Sequence, residues 1–157
     1  MTTATPTTPT TPTTPTVNGR VIALAHYAGR AVLEHVLTRT GNTFNQSVTL
    51  RVVAIADAPI ARDKVAADVA GSLKIEESAV QTTIDELVAA KLVEEAPSDG
   101  SGLRLTPAGR DLYERVTAET NQISARIYAD IPTEDLATAG RVLTLVTERA
   151  NAELARI

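Results

Sequence analysis

Cysteine and tryptophan are absent from this 157-residue chain, and aromatic residues make up only 3% of it. Without cysteine there is no disulfide, no thiolate metal site and no cysteine nucleophile, which agrees with a reducing compartment. No run of about 18 apolar residues occurs, so no membrane span is expected. No leader with a charged, an apolar and a small-residue region is seen either, so the expected location is cytoplasmic. The two histidines, His26 and His35, stand nine residues apart on one expected helix. At about 100° per residue they point to opposite faces, which excludes joint chelation within a chain. No Gly-x-Ser-x-Gly elbow, zinc-binding helix or dinucleotide fingerprint is present, and the carboxylate pairs Glu76-Glu77 and Glu94-Glu95 are chain neighbours rather than an acid and a base across a cleft. Neither an enzyme nor a bound cofactor or metal is expected.

What the chain does have is 43% hydrophobic and 22% charged residues, the balance of a globular domain able to bury a core. Residues 1–16 stand apart, with Pro6, Pro9, Pro12 and Pro15 separated by threonine pairs. So little apolar surface cannot offset the entropy of ordering, so this segment reads as a solvated polyproline II tail, a docking strand or an arm across a second copy. From Val17 the pattern turns helical, with Val21, Leu24, Ala25, Ala28, Val32 and Val36 near one face, and Gly41-Asn42 supplies a stop at about residue 40. Asn45 or Ser47 can cap a second helix that is apolar nearly all round and therefore reads as a buried support. It ends before Asp57-Ala58-Pro59.

The stretch from 63 to 106 carries the most information. Asp63 is the expected cap of a third helix holding Val65, Val69 and Leu73 on its core side, and Gly71-Ser72 the expected break. A fourth helix over about 75–90 places Val80, Ile84 and Leu87 within about 60° of one another. Ser78, Thr82 and Asp85 fall opposite, flanked by Gln81. Leu92-Val93 then reads as a strand, Ser98-Asp99-Gly100-Ser101-Gly102 as a turn, and Leu103 and Leu105 as the inward residues of a return strand. Thr106 caps a helix that opens on Pro107, where proline forfeits no hydrogen bond. Leu112, Val116, Ile123 and Ile127 mark that helix, and Thr133 is the expected cap of a last one striped with Leu136, Ala139, Leu143, Val146, Ala150 and Leu154.

Two amphipathic helices across a short turn, followed by a hairpin, make a winged helix-turn-helix, a module that sets one helix in a DNA groove with a hairpin beside it. In this order of elements, with Val65-Ala66, Ala79-Val80-Gln81, Asp85, Leu87, Leu92-Val93 and Leu105-Thr106-Pro107-Ala108-Gly109 at their places, the chain resembles the MarR family of transcriptional regulators over roughly 17–155. The resemblance implies a mainly α fold: a winged helix-turn-helix lobe with a two-stranded β wing, plus long N- and C-terminal dimerisation helices. It divides the chain into the tail at 1–16, an N-terminal dimerisation helix at 17–44, a DNA-binding lobe at 45–106 and C-terminal dimerisation helices at 107–157. It also implies a homodimer on double-stranded palindromic DNA, most simply a repressor, and a small-molecule effector bound between the dimer helices and the lobe.

On this reading Gln81 pairs with an adenine, Ser78 and Thr82 bond bases or phosphates, and Arg62, Lys64, Lys74 and Arg104 form the cationic contact face. The chain departs from the family at Lys91, where glycine is usual, and at the wing, where the arginine that reaches the minor groove is missing. Ser101 or Arg104 is the expected substitute. His26, Tyr27 and Arg30 offer polar and aromatic chemistry for an effector. Charge speaks against tight binding: residues 45–106 hold six cations against ten acids, the whole net charge of −4. Two alternatives therefore stay open, a winged-helix module that binds protein, with weak or vestigial DNA contacts, and a ligand-binding dimer.

Overall fold

A computed structural model describes residues 16–96 and 102–157. The chain divides into two compact units, the first reaching Tyr113 and the second spanning Glu114–Ile157. In the first, Asn18 opens helix α1 (Gly19–Thr38) by accepting from the amides of Arg20 and Val21 at 3.0 and 3.1 Å. The helix stops where expected, with Gly41 at φ +69°. Of its expected apolar face only Val36 is buried, with Leu37 beside it, and Val32 half-buried, while Val21 and Leu24 are 39% and 57% exposed.

Helix α2 (Phe44–Ala54) is capped by Thr43, not by Asn45 or Ser47. The reason is Gln46: its side chain accepts from the Thr43 amide at 3.0 Å while the Thr43 hydroxyl accepts from the Gln46 amide at 3.2 Å, a reciprocal box that needs a hydroxyl residue three places before the glutamine. Thr49, Leu50 and Val53 are buried, whereas Ile55 just beyond the helix is 62% exposed, so burial is one-sided rather than all round.

Helix α3 (Arg62–Leu73) also begins differently from expectation. Its N-cap is Ala61 with no side-chain hydrogen bond, and Asp63 lies inside the first turn, where a carboxylate still favours the positive end of the helix. Gly71-Ser72 does not break it, since one interior glycine costs only about 1 kcal/mol. The turn falls at Lys74, at φ 56°, where the Lys74 and Ile75 amides both donate to the Ala70 carbonyl at 2.8 and 3.3 Å. Helix α4 (Glu77–Ala89) then packs Val80, Ile84 and Leu87 against α2 and α3, all three essentially inaccessible. It closes at Lys91, again with positive φ, as the Leu92 amide donates to the Leu87 carbonyl at 2.9 Å.

The hairpin follows as β1 (Val93–Glu95) and β2 (Leu103–Leu105), antiparallel with Val93 opposite Leu105 and Glu94 opposite Arg104. Val93, Leu103 and Leu105 are buried and Arg104 is exposed, the alternation expected of a half-covered ribbon. Ile60 adds a bridge to Leu103, with backbone hydrogen bonds of 3.1 and 2.7 Å, and so ties the start of the α3 segment to the wing. Residues 97–101 of the expected turn lie outside the described residues, as does the tail at 1–15. Helix α5 (Pro107–Ile127) opens as expected, the Thr106 hydroxyl accepting from the Gly109 amide at 3.0 Å and donating to the Lys91 carbonyl at 2.7 Å.

The second unit holds the rest of α5 and helix α6 (Thr133–Leu154). Pro132, not Thr133, is its N-cap: the extended proline offers its carbonyl to the Asp135 and Leu136 amides at 3.0 and 3.1 Å, and Thr133 becomes the first helical residue. No residue of α6 is buried, and Val142, Leu143, Leu145 and Val146 are 37–44% exposed. Among the described residues no helix is long and apolar enough to cross a membrane.

Candidate nucleic-acid interface

With Val80, Ile84 and Leu87 turned to the core, the 3.6-residue repeat leaves Ser78, Thr82 and Asp85 exposed on the other side of α4 and Gln81 half-buried at the flank. Three of these are the residues expected to read bases. The Thr82 hydroxyl donates back to the Ser78 carbonyl at 3.1 Å, which leaves its oxygen to accept from an outside partner. Among the described residues the Ser78 hydroxyl makes no hydrogen bond, so it can both donate and accept.

Gln81 is committed differently. The Arg62 Nε at the start of α3 donates to Gln81 Oε1 at 2.8 Å, and Gln81 Nε2 faces Asp63 Oδ1 at 3.5 Å. The same guanidinium is bound by Asp85 through Nη2 and lies 4.0 Å from Glu95 of the wing through Nη1. Arg62 thereby joins α3, α4 and β1, and its side chain is only 31% exposed. It is a bracket as much as a phosphate ligand. The acids that complete it, Asp63, Asp85 and Glu95, were not expected as site residues, although the four-residue spacing of Gln81 and Asp85 on one helix was a visible signal.

The other cations of the contact face differ in availability. Lys64 pairs with Asp68 one turn on, at 2.9 Å, and Arg104 pairs with Glu94 across the hairpin at 2.8 Å. Lys74, in the turn between α3 and α4, is exposed and makes no ion pair among the described residues. Ser101, the other candidate for a wing contact, lies outside the described residues. Such exposed pairs are worth about 0–1 kcal/mol each, so phosphates can compete for the cations, yet the carboxylates stay close by and weaken any phosphate contact.

The effector candidates separate. The His26 and Tyr27 rings meet edge to face at 5.8 Å on the exposed side of α1. Arg30 instead bonds Glu34 at 2.8 Å and holds its guanidinium 4.5 Å from the centre of the Phe44 ring. It lines an open cleft of about 530 Å³ together with Thr38, Asn42, Phe44, Thr83 and Glu86, and neither His26 nor Tyr27 does. Phe44, the chain's one phenylalanine, is the signal in the sequence for this cleft. Among the described residues no group of three or more His, Asp or Glu side chains is placed to hold a metal ion.

No family model and no curated protein matches this chain. Solved structures do. A MarR-family transcriptional regulator from Rhodococcus sp. RHA1 superposes with a TM-score of 0.67 at 19% identity, over 82% of this chain and 91% of its own length. MarR from Staphylococcus aureus, in complex with salicylate and kanamycin, gives 0.71 at 21% identity, over 85% of this chain and 90% of that one. The chain has the MarR fold. CouR from Rhodococcus jostii RHA1, bound to p-coumaroyl-CoA, superposes with a TM-score of 0.67 at 17% identity, over 82% and 89% of the two chains. In this fold α3 and α4 form the helix-turn-helix and β1–β2 the wing, and the Arg62 guanidinium of α3 lies 4.0 Å from Glu95 of the wing.

Proposed function

We propose that this protein is a MarR-family transcriptional regulator: a cytoplasmic, non-catalytic homodimer that binds a palindromic operator sequence-specifically, represses, and answers to a small-molecule effector. The observation that carries this reading is the outer face of α4, where Ser78 and Thr82 stand exposed beside the Arg62–Gln81 pair on a helix-turn-helix that a hairpin closes. In this reading 45–106 is the DNA-binding lobe, and 17–44 and 107–157 make the dimer. The exposed apolar side chains support the second assignment, Val21 and Leu24 in the first unit and Leu143, Leu145 and Val146 in the second, because contiguous apolar surface of this kind belongs against a partner. An effector is supported by the ligands in the solved neighbours and by the cleft beside Arg30 and Phe44.

A second reading, a winged-helix module for protein partners, is favoured by the six cations against ten acids in the lobe, three of those cations being paired already. Replacing Ser78, Gln81 and Thr82 by alanine separates the two. Loss of preference for the protein's own upstream DNA, with nonspecific binding retained, supports the regulator; unchanged binding contradicts it. Sedimentation of wild type and of Leu143→Glu tests the dimer, the variant being expected to run as a monomer.

A further inference from the structure

We infer that Arg62 serves the interface as a positioning residue, setting α4 against the wing, and does not neutralise a phosphate. The inference rests on the regulator reading above and takes Arg62 out of the cationic contact face expected from the sequence.

The backbone ties the wing to the entry of α3. Ile60 pairs with Leu103, and Gly102 runs so close to Pro59 that a Cβ built on it would lie 2.6 Å from the Pro59 Cβ. Neither contact involves the outer face of α4. Arg62, two residues beyond Ile60, supplies that link. Its Nε donates to Gln81 Oε1 at 2.8 Å and its Nη2 to the Asp85 carboxylate, one helical turn further along α4. Its Nη1 stands 4.0 Å from Glu95, whose partner across the hairpin is Leu103. Chain entry, wing and outer face of α4 are thereby joined through one guanidinium.

Charge decides against the phosphate role. Asp85 and Glu95 flank the guanidinium, and Asp63 adds a third carboxylate 3.5 Å from the amide nitrogen of the Gln81 side chain that Arg62 holds. One cation among three carboxylates makes a net negative cluster. The hydrogens left on the guanidinium remain reachable, since the side chain is 31% exposed, but a phosphate brought to them meets like charge on every side. Phosphate contacts yield affinity by releasing the counterions condensed on DNA, and a cation already neutralised by carboxylates adds little to that release. Replacing Arg62 should therefore misplace the groups that read bases while leaving the count of phosphate contacts as it was.

The test compares wild type, Arg62→Met, Arg62→Lys, Asp85→Asn and the double variant Arg62→Met/Asp85→Asn, each checked for folding by circular dichroism and melting. Affinity is measured on the protein's own upstream DNA and on a scrambled duplex across a salt series. Arg62→Met is expected to leave the salt slope on the scrambled duplex unchanged and to cut the preference for upstream DNA by about 5- to 150-fold, the discrimination of one well-placed base contact. Asp85→Asn should cut the same preference, and the double variant should lose no more than the greater single loss, because both substitutions break one link. Arg62→Lys keeps the charge but cannot span Gln81, Asp85 and Glu95 together, so it should lose preference as well, and it takes the place of Arg62→Met in the double variant if that protein fails to fold. A phosphate ligand gives the opposite pattern: a slope flatter by about 1, equal weakening on both duplexes, and rescue by lysine. That pattern, or single losses that add in the double variant, overturns the inference and leaves the regulator reading standing. A wild type that prefers neither duplex contradicts the regulator reading itself, and the inference falls with it.

Discussion

Gly109 passes so close to Leu92 that a Cβ built on it would overlap the Leu92 carbonyl oxygen and lie 2.8 Å from the carbonyl carbon. This contact seats the start of α5 on the strand that leads into the wing, and the Thr106 hydroxyl bridges the same two segments through the Gly109 amide and the Lys91 carbonyl. Gly109→Ala should therefore destabilise by about 2–4 kcal/mol, since backbone must move to admit the methyl group. Thr106→Ala, which only removes the cap, should cost about 1 kcal/mol. Urea unfolding of both variants checks the order.

Lys91 works in the opposite sense. It sits at φ 57° in the left-handed turn between α4 and β1, a conformation that costs a residue with a side chain about 1–2 kcal/mol. Lys91→Gly relieves that cost and loses part of the gain to the greater freedom of glycine in the unfolded chain. A net rise in stability of about 0.5–1 kcal/mol is expected, read as a higher urea midpoint with an unchanged slope.

The elements were legible because their cores are periodic. Val80, Ile84 and Leu87, or Leu103 and Leu105, announce a helix face and a strand face without help from distant residues. The helix starts were less so: Thr43, Ala61 and Pro132 took the cap positions from Asn45, Asp63 and Thr133 because caps are decided by reciprocal partners and backbone entry, which a list of favourable residue types does not contain. The outer face of α4 was also visible in the spacing. That Gln81 and Arg62 bind each other was not, because 19 residues separate them and only the crossing of α3 and α4 brings them together. The exposed run along α1 and α6 reads the same in sequence whether it faces its own core or another copy.

Thr49 is buried in α2, and among the described residues its hydroxyl has no hydrogen-bond partner. A buried hydroxyl left unpaired costs about 1–3 kcal/mol, so Thr49→Val, which keeps the shape and removes the polar atom, should stabilise by about 1 kcal/mol. Thermal or urea unfolding decides it; a loss of stability would mean that the hydroxyl is satisfied in solution.

Lys74 and Lys64 should contribute unequally to DNA affinity. Lys74→Asn drops the charge while suiting the left-handed φ of 56°, and should weaken binding to every sequence and flatten the slope of log affinity against log salt by about 1. Lys64→Ala should change the slope less, because Lys64 already faces Asp68. Asp68→Ala should raise affinity by releasing that lysine. Salt titrations of the three variants on one duplex check all three signs.

Fluorescence anisotropy of the purified protein against its own upstream DNA and a scrambled duplex, across a salt series, addresses the central claim most directly. A sequence-specific regulator is expected to bind the upstream DNA at least about a thousandfold more tightly than the scrambled control, with a salt slope reporting its phosphate contacts. Equal and weak binding to both would contradict the regulator reading and give the acidic lobe to a protein partner.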